Sequence, residues 1–337
     1  MTPQSDVSLQ ALNTLAVPAR ARYLTPANSI EDLREALAFA RERALPSLIL
    51  GGGSNIVLSG DFDGVVIPLQ LRGITCLTEQ EDWVELSVAA GENWDDFVRY
   101  SLAQGWFGLE NLSAIPGNVG AAPIQNIGAY GVELSSVLTS VVGLDLETGA
   151  ERRLSREDCE LAYRDSIFKG ALRDRFVITE VGLKLSKVAN TNLSYPALAA
   201  EVDASASPQE VSAAVRAVRA RKLPSPAELP NAGSFFKNPI VSSEQADTLR
   251  EIHPTLPMWP HNGQYKLAAG WLVEQAGWRG RSGEGEQAGV GIFREQALVL
   301  INPGRCPGRR ILQFASEIQA SVHAQFSVNL DIEPRVY

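Results

Sequence analysis

An α+β fold in two domains is what this sequence predicts. At about 100–200 residues per domain, 337 residues suffice for two, and 45% hydrophobic with 20% charged residues is ordinary globular usage with ample core material. Amphipathic stretches that open on helix-start signals interleave with short apolar runs bounded by glycine and proline, which points to mixed helix and sheet. A fresh helix-start signal near residue 205 divides the chain. It places one domain at 1–205, for which subdomains of about 1–70 and 71–205 are expected, and a smaller α+β domain at 206–337.

Ser29-Ile30-Glu31-Asp32 has capping-box spacing, a hydroxyl with a carboxylate three residues on. Leu33, Ala36, Leu37 and Ala40 then share one helical face. After Pro46, residues 47–50 read as a buried strand running into Gly51-Gly52-Gly53-Ser54-Asn55, with further strands at 56–58 and 65–69. Residues 76–90 alternate like a hairpin, and Asn93 caps a helix that starts at Trp94. A stretch rich in Gly, Ala and Asn runs from 115 to 133, followed by strands and turns between 139 and 186. Ser207-Pro208-Gln209-Glu210 is a second capping box with proline at the first helical position. Val211, Val215 and Val218 form its apolar face, and Arg219, Arg221 and Lys222 occupy the last turn, where cations suit the helix dipole. A helix near 266–276, a strand at 296–301 and a last helix at 309–325, with Ile311, Phe314, Ile318 and Val322 inward, complete the chain.

Composition excludes several functions. With 30 Lys+Arg against 39 Asp+Glu the net charge is −9, which disfavours nucleic-acid binding because phosphate neutralisation needs a basic surface. Cys76, Cys159 and Cys306 are too far apart for a metal or redox pair, so no metal site is expected. Their odd number, together with a polar N-terminus lacking a signal-peptide core, points to the reducing cytoplasm. No apolar run approaches the ~18 residues of a membrane helix. The three histidines, His253, His261 and His323, all lie in the last quarter, so chemistry before residue 253 uses other groups.

Two glycine loops carry the functional signal. Gly51, Gly52 and Gly53 let backbone amides approach a phosphate, and Ser54 and Asn55 add side-chain donors. Alone, the segment reads equally as a tight turn between strands. It lacks both the Gly-x-Gly-x-x-Gly pattern and the lysine of a P-loop. The second loop reads Ile115-Pro116-Gly117-Asn118-Val119-Gly120-Ala121-Ala122-Pro123-Ile124-Gln125-Asn126-Ile127-Gly128-Ala129-Tyr130-Gly131. So small and amide-rich a segment suits backbone wrapped around a flat polar ligand, or a buried packing segment.

Together the loops resemble the FAD-binding domain of the UDP-N-acetylenolpyruvoylglucosamine reductase family, within the PCMH-type flavin superfamily. Tyr163-Arg164-Asp165-Ser166-Ile167-Phe168-Lys169, Asn231-Ala232-Gly233-Ser234-Phe235-Phe236-Lys237-Asn238-Pro239 and Lys266-Leu267-Ala268-Ala269-Gly270-Trp271-Leu272 extend the likeness over the whole chain in order, to the longer, three-domain type. The resemblance implies non-covalent FAD on Gly51, Gly52, Gly53, Ser54, Asn55, Gly117, Gly120, Gln125, Asn126 and Gly128, and NADPH as hydride donor. The implied reaction is reduction of UDP-N-acetylglucosamine enolpyruvate to UDP-N-acetylmuramate, in peptidoglycan precursor synthesis, by a monomeric enzyme.

Arg164 can hold a carboxylate bidentately, or pair structurally with an acid such as Asp165. The resemblance makes it the residue that polarises the enolpyruvyl carboxylate. Ser234, read from its surroundings, is a turn residue; no Gly-x-Ser-x-Gly elbow surrounds it. The resemblance makes it a proton donor. The C-terminal catalytic segment is Leu330-Asp331-Ile332-Glu333-Pro334-Arg335. The family usually has Leu-Glu-Pro-Glu-Val-Arg there, so Glu333 matches by its distance from Arg335, with Asp331 a rival. Substrate contacts implied are Tyr130, Tyr195, Lys222, Asn238 and Gln296, with Trp259 standing where the family's lid has tyrosine. Two other readings remain open. One is a flavin oxidase or dehydrogenase of an alcohol or sugar, which often links its flavin to a histidine that this chain lacks before His253. The other is a non-catalytic nucleotide-sugar binder, against which Arg164, Ser234 and Glu333 stand together.

Overall fold

The computed structural model describes residues 2–285 and 288–337. It divides into two compact units, neither of them continuous in sequence. The first comprises the chain up to Val7, Arg22–Gly52 and Asp63–Ala220, and the second Ser8–Ala21, Gly53–Phe62 and Arg221–Tyr337.

The first unit carries two sheets. In the four-stranded one the order is Gln4–Ser8, Arg20–Leu24, Phe62–Pro68, Ser47–Leu50, the last two parallel. The second is five-stranded and antiparallel, ordered Glu151–Ser155, Leu138–Asp145, Phe176–Ser186, Trp83–Ala89, Ile74–Glu79. Helix Ile30–Glu42 begins as its capping box requires, Asp32 N–H donating to Ser29 Oγ at 3.0 Å and Ser29 N–H to Asp32 Oδ2 at 3.1 Å. Helix Trp94–Ala103 is capped by Asn93 Oδ1, which accepts from Asp96 N–H. Leu33, Ala36 and Ala40 of the first helix and Phe97, Val98 and Leu102 of the second join one core with Val65, Ile67, Leu86 and Val88.

Helix Pro208–Lys222 has the expected cap, with Glu210 N–H donating to Ser207 Oγ and Ser207 N–H to Glu210 Oε2. The sequence puts this capping box at the head of the second domain, yet up to Ala220 the helix belongs to the first unit. Val211 and Val215 bury against Leu198, and polar residues from the same helix bond Ser113, Asp95 and Ala114. The fold places the start of the second unit's long C-terminal piece at Arg221.

The second unit gathers small sheets and the helices Ser243–Ile252, Ala269–Gln275 and Gly308–Phe326. Ile311, Phe314, Ile318 and Val322 are buried as their spacing predicts. Its N-terminal piece is tied in by Asn302 Nδ2 donating to Leu15 O at 2.8 Å and by Asn231 N–H donating to Thr14 O at 3.0 Å. The helix expected from residue 266 starts later, because Lys266 and Leu267 extend a strand, Gln264–Leu267, that pairs on both sides. Likewise the strand expected from 296 is Val299–Ile301.

The two glycine loops meet in the first unit. A Cβ built on Gly52 would lie 2.9 Å from Gly117 Cα and 3.1 Å from Asn118 Oδ1, closer than real side chains come, whereas at Gly51 the nearest atom is 3.7 Å away. Gly52→Ala is therefore expected to cost about 1–3 kcal/mol in denaturant unfolding of the apo-protein, and Gly51→Ala much less. Equal losses would count against the close approach.

Asp95 joins helix Trp94–Ala103 to helix Pro208–Lys222. Burial by itself would raise its carboxyl, but hydrogen bonds from Arg216, Ala114 N–H and Arg99 and the charge of Arg216 outweigh burial and hold it below the usual aspartate value. Such a group adds stability that is present above the unfolded pKa, about 3.9, and is lost as pH falls through the lower folded value. Wild type should outlast Asp95→Asn in thermal melts at neutral pH, with the margin closing below about pH 4; a margin constant across that range would assign the effect to shape and not to charge.

Candidate active site

The second glycine loop is pinned at its start by the segment 90–94. Gly120 N–H donates to Ala90 O and Val119 N–H to Glu92 O, both at 2.9 Å, and Trp94 N–H donates to Gly117 O at 3.0 Å. Gly120 has no alternative, because an added Cβ would collide with Ala90. Two short 3-10 turns, Val119–Ala121 and Pro123–Gln125, then carry the chain to Asn126.

Asn126 turns inward. It is fully buried at φ 45°, its Nδ2 donates to Glu133 Oε2 at 2.8 Å and Ala162 O at 3.2 Å, and its Oδ1 accepts from Ser135 N–H at 2.9 Å. Both amide hydrogens and one lone pair of its oxygen are engaged in holding the loop. Beyond it, Arg164 Nη2 donates to Gly128 O at 2.9 Å, and Lys169 Nζ donates to Arg164 O at 2.8 Å. Arg164 sits at φ 53°, an uncommon conformation for a residue with a side chain, with its guanidinium 5.4 Å from the Tyr163 ring centroid. Asp165, its possible structural partner, accepts from Ser166 N–H instead. Tyr130 and Tyr195 pack edge to face at 5.3 Å, and Tyr195 is 42% exposed.

In the second unit, Ser234 ends the strand Asn231–Ser234 and is half-buried. The C-terminal segment runs antiparallel to the residues that follow it. Glu333 N–H donates to Phe235 O at 2.9 Å, Phe236 bridges Ile332, and Lys237 N–H donates to Asp331 O at 2.9 Å. This register sets half-buried Glu333 across from the neighbour of Ser234, and exposed Asp331 one pair further away. Asn238 Oδ1 accepts from Ala269 N–H at 3.0 Å, and Gln296 Oε1 lies 3.4 Å from the Cβ position of Gly270, so both flank the start of helix Ala269–Gln275. Trp259 is 45% exposed on the strand Met258–His261, opposite Lys266. Lys222 is exposed at the end of its helix.

Sequence reading missed three residues that organise the loop. Asn111 Nδ2 donates to Tyr130 O at 2.8 Å, Asp95 Oδ1 accepts from Ala114 N–H, and Arg219 Nε donates to Ala114 O at 3.1 Å. A polar stripe on helix Pro208–Lys222, Ser212, Arg216 and Arg219 at i, i+4 and i+7, was the available signal. Cys159 offers no nucleophile: burial first, then Asp158 and Glu157, push its thiol up to about 12. Among the described residues no group of three or more His, Cys, Asp or Glu side chains is placed to hold a metal ion, and no helix is long and apolar enough to cross a membrane.

The residues present fit FAD. Gly52 lies against Gly117, and Gly120 against Ala90, with no room for a Cβ between them, so the glycine loops are held together through backbone, which leaves the kind of amide-rich surface that binds a dinucleotide. Residues 21–154 match the family model described as FAD binding domain, and 225–337 match that of the UDP-N-acetylenolpyruvoylglucosamine reductase C-terminal domain. The UDP-N-acetylenolpyruvoylglucosamine reductase of Dechloromonas aromatica is 46% identical over 342 residues, covering 99% of both chains. That of Pseudomonas aeruginosa is 45% identical over 340 residues, covering 99% of this chain and 98% of its own. The crystal structure of the Thermus caldophilus enzyme, 22% identical, superposes with a TM-score of 0.69 over 100% of this chain and 99% of its own, which establishes the shared fold. With both halves matched and near-complete relatives at this identity, the chain belongs to the UDP-N-acetylenolpyruvoylglucosamine reductase family.

Proposed function

We propose that the chain reduces UDP-N-acetylglucosamine enolpyruvate to UDP-N-acetylmuramate with non-covalently held FAD and NADPH. The observation that carries this reading is the pairing that holds half-buried Glu333 beside the Ser234 segment, in a chain whose relatives bear this enzyme's name over their full length. FAD is cradled by Gly51, Gly52, Gly53, Ser54, Asn55, Gly117, Gly120, Gln125 and Gly128, with Asn126 shaping the loop from behind. The chemistry FAD supplies when bound is two-electron hydride transfer, from NADPH to the enolpyruvyl double bond.

The protein groups manage charge and one proton. Arg164 pairs with the substrate carboxylate and draws electron density toward it as negative charge develops on the adjacent carbon. Ser234 Oγ–H donates the proton to that carbon, and Glu333 helps to stabilise and orient the reacting group. Tyr130 and Tyr195 offer aromatic surface and hydroxyls. Lys222, Gln296 and the NH2 group of Asn238, whose oxygen is already engaged, offer donors to the diphosphate. Trp259 covers the uracil by stacking. NADP+ must leave before the enolpyruvyl substrate enters, so kinetics are ping-pong. In this reading the chain serves peptidoglycan precursor synthesis, and so cell-wall biogenesis, cell shape and division, and acts as a monomer in the cytoplasm.

In stopped-flow half-reactions, Ser234→Ala should bleach with NADPH at the wild-type rate. Its reoxidation by the enolpyruvyl substrate should slow by about 100- to 10,000-fold, the range of general acid catalysis. Equal slowing of both halves would remove Ser234 from the proton-donor role.

A further inference from the structure

We propose that Asn111 is a positioning residue for the substrate half of the reaction: its side-chain amide holds together the two backbones that carry Tyr130 and Tyr195, and so sets the pair of rings that meets the sugar nucleotide. The amide has two hydrogens on Nδ2, and each goes to a different segment. One is donated to Tyr130 O and the other to Asn192 O, both at 2.8 Å. Tyr195 follows Asn192 by three residues.

Asn111 is 1% exposed, so it reaches no ligand itself and acts through the tyrosines. It belongs to the 3-10 turn Glu110–Leu112, whose own place is fixed. Leu109 and Leu112 lie in the core, Trp94 Nε1 donates to Leu112 O at 2.9 Å, and Gly108 N–H donates to Glu110 Oε2 at 2.7 Å. The segments it holds have less support of their own. Tyr130 and Gly131 form the two-residue turn between Gly128–Ala129 and Val132–Glu133, at φ 49° and 83°. Asn-Gly is a favoured pair where both turn residues have positive φ, and a tyrosine in the first place is strained. Residues 187–195, which follow the strand Phe176–Ser186, form no helix or strand. There Asn192 Oδ1 accepts from Ser194 N–H at 2.9 Å and from Ser194 Oγ–H at 2.7 Å, and Asn192 Nδ2 donates to Gly131 O at 3.4 Å. A Cβ on Gly131 would lie 2.6 Å from Ser194 Oγ, so the turn and this stretch touch directly. Tyr130 and Leu193 also pack on one small cluster, Leu198, Val211 and Val215. Across this junction the two tyrosine rings stand edge to face, with that of Tyr195 exposed. A ring so open has few neighbours to hold it, and its place follows from its backbone.

The role of Asn111 rests on the reading of Tyr130 and Tyr195 as substrate contacts, and separate readouts test the two. Hydrogen exchange of the FAD-loaded protein tests the tie without substrate. In Asn111→Ala, amides of 128–133 and 191–198 should exchange together about tenfold faster, as for a lost buried hydrogen bond, with the strand Leu138–Asp145 unchanged. Stopped-flow half-reactions test its use. Bleaching by NADPH should keep its limiting rate. The concentration of enolpyruvyl substrate that gives half-maximal reoxidation should rise about tenfold at an unchanged limiting rate. Asn111→Asp keeps the size and, ionised, loses both donors, so it should match Asn111→Ala. In a Tyr130→Leu/Tyr195→Leu background, Asn111→Ala should add nothing. Wild-type behaviour in Asn111→Asp, faster exchange in only one of the two segments, equal slowing of both half-reactions, or an undiminished loss in the double-leucine background would each overturn the role. A wild-type protein whose reduced flavin is not reoxidised by the enolpyruvyl substrate would overturn the functional reading, and the tie would then stand or fall on the exchange rates alone.

Discussion

Backbone meets backbone where Gly52 passes Gly117, and the space between them admits no side-chain carbon. The rest of the first unit follows from keeping those two chains together. One is the end of the parallel strand Ser47–Leu50, which pairs with Phe62–Pro68 over a buried core. The other has almost no side chains with which to pack, so it borrows order from the segment 90–94 and from polar groups at both its ends. A loop this poor in apolar surface gains little from burial. Hydrogen bonds must hold it, and each polar group enclosed on its behalf needs a partner. That requirement accounts for inward-turned Asn126, for Asp95 beneath Ala114 and for the charged face on helix Pro208–Lys222.

Local signals were legible in the sequence because their causes are local. Ser29, Asn93 and Ser207 cap helices through atoms three residues away, and the apolar spacing of residues 311–322 reports one buried face. What escaped was set by long-range contacts. Nothing near residue 205 reveals that the following helix buries its valines on Leu198 and sends its arginines to Asp95 and Ala114. Nothing in 8–21 or 53–62 announces membership of the second unit, which depends on partners such as Asn302 and Asn231, hundreds of residues away. Lys266 and Leu267 have side chains a helix accepts, but two neighbouring strands offered their backbones pairing. Among the site residues, the glycines declared themselves through composition. The intraprotein bonds of Asn126 could not be read from the sequence, because an amide side chain looks the same there whichever groups it bonds.

The acidic balance of the chain also makes sense once cations are placed. A net charge of −9 coexists with a buried cation at Arg219, whose guanidinium is pushed below its usual range by burial first and by nearby Arg164 to a lesser degree. A site for carboxylate and diphosphate groups needs few cations if backbone amides and a desolvated guanidinium do most of the work, since charge counts for more where water is excluded. The same desolvation explains why Arg219 keeps a polar partner in Ala114 O: without one a buried cation would be a liability.

The proposed acid group raises a different difficulty. Residues within five of a C-terminus ordinarily fray, and a frayed glutamate cannot hold a reacting group in place. Here the last residues are bonded on two sides within the second unit. Lys237 and Glu333 N–H groups link them to the residues after Ser234, while Arg335 N–H donates to Asn55 O at 3.0 Å, Tyr337 N–H to Val57 O at 2.9 Å, and Arg335–Val336 pairs parallel with Ile56–Val57. Glu333 therefore sits between two sets of backbone bonds, and the segment carrying Ser234 and the end of the first glycine loop are fastened to adjoining parts of one C-terminal segment, 331–333 and 335–337. A serine hydroxyl is a weak acid, and its usefulness as a proton donor depends on geometry that does not drift. The C-terminal segment supplies that constancy, and within the proposed mechanism this favours Glu333 over exposed Asp331.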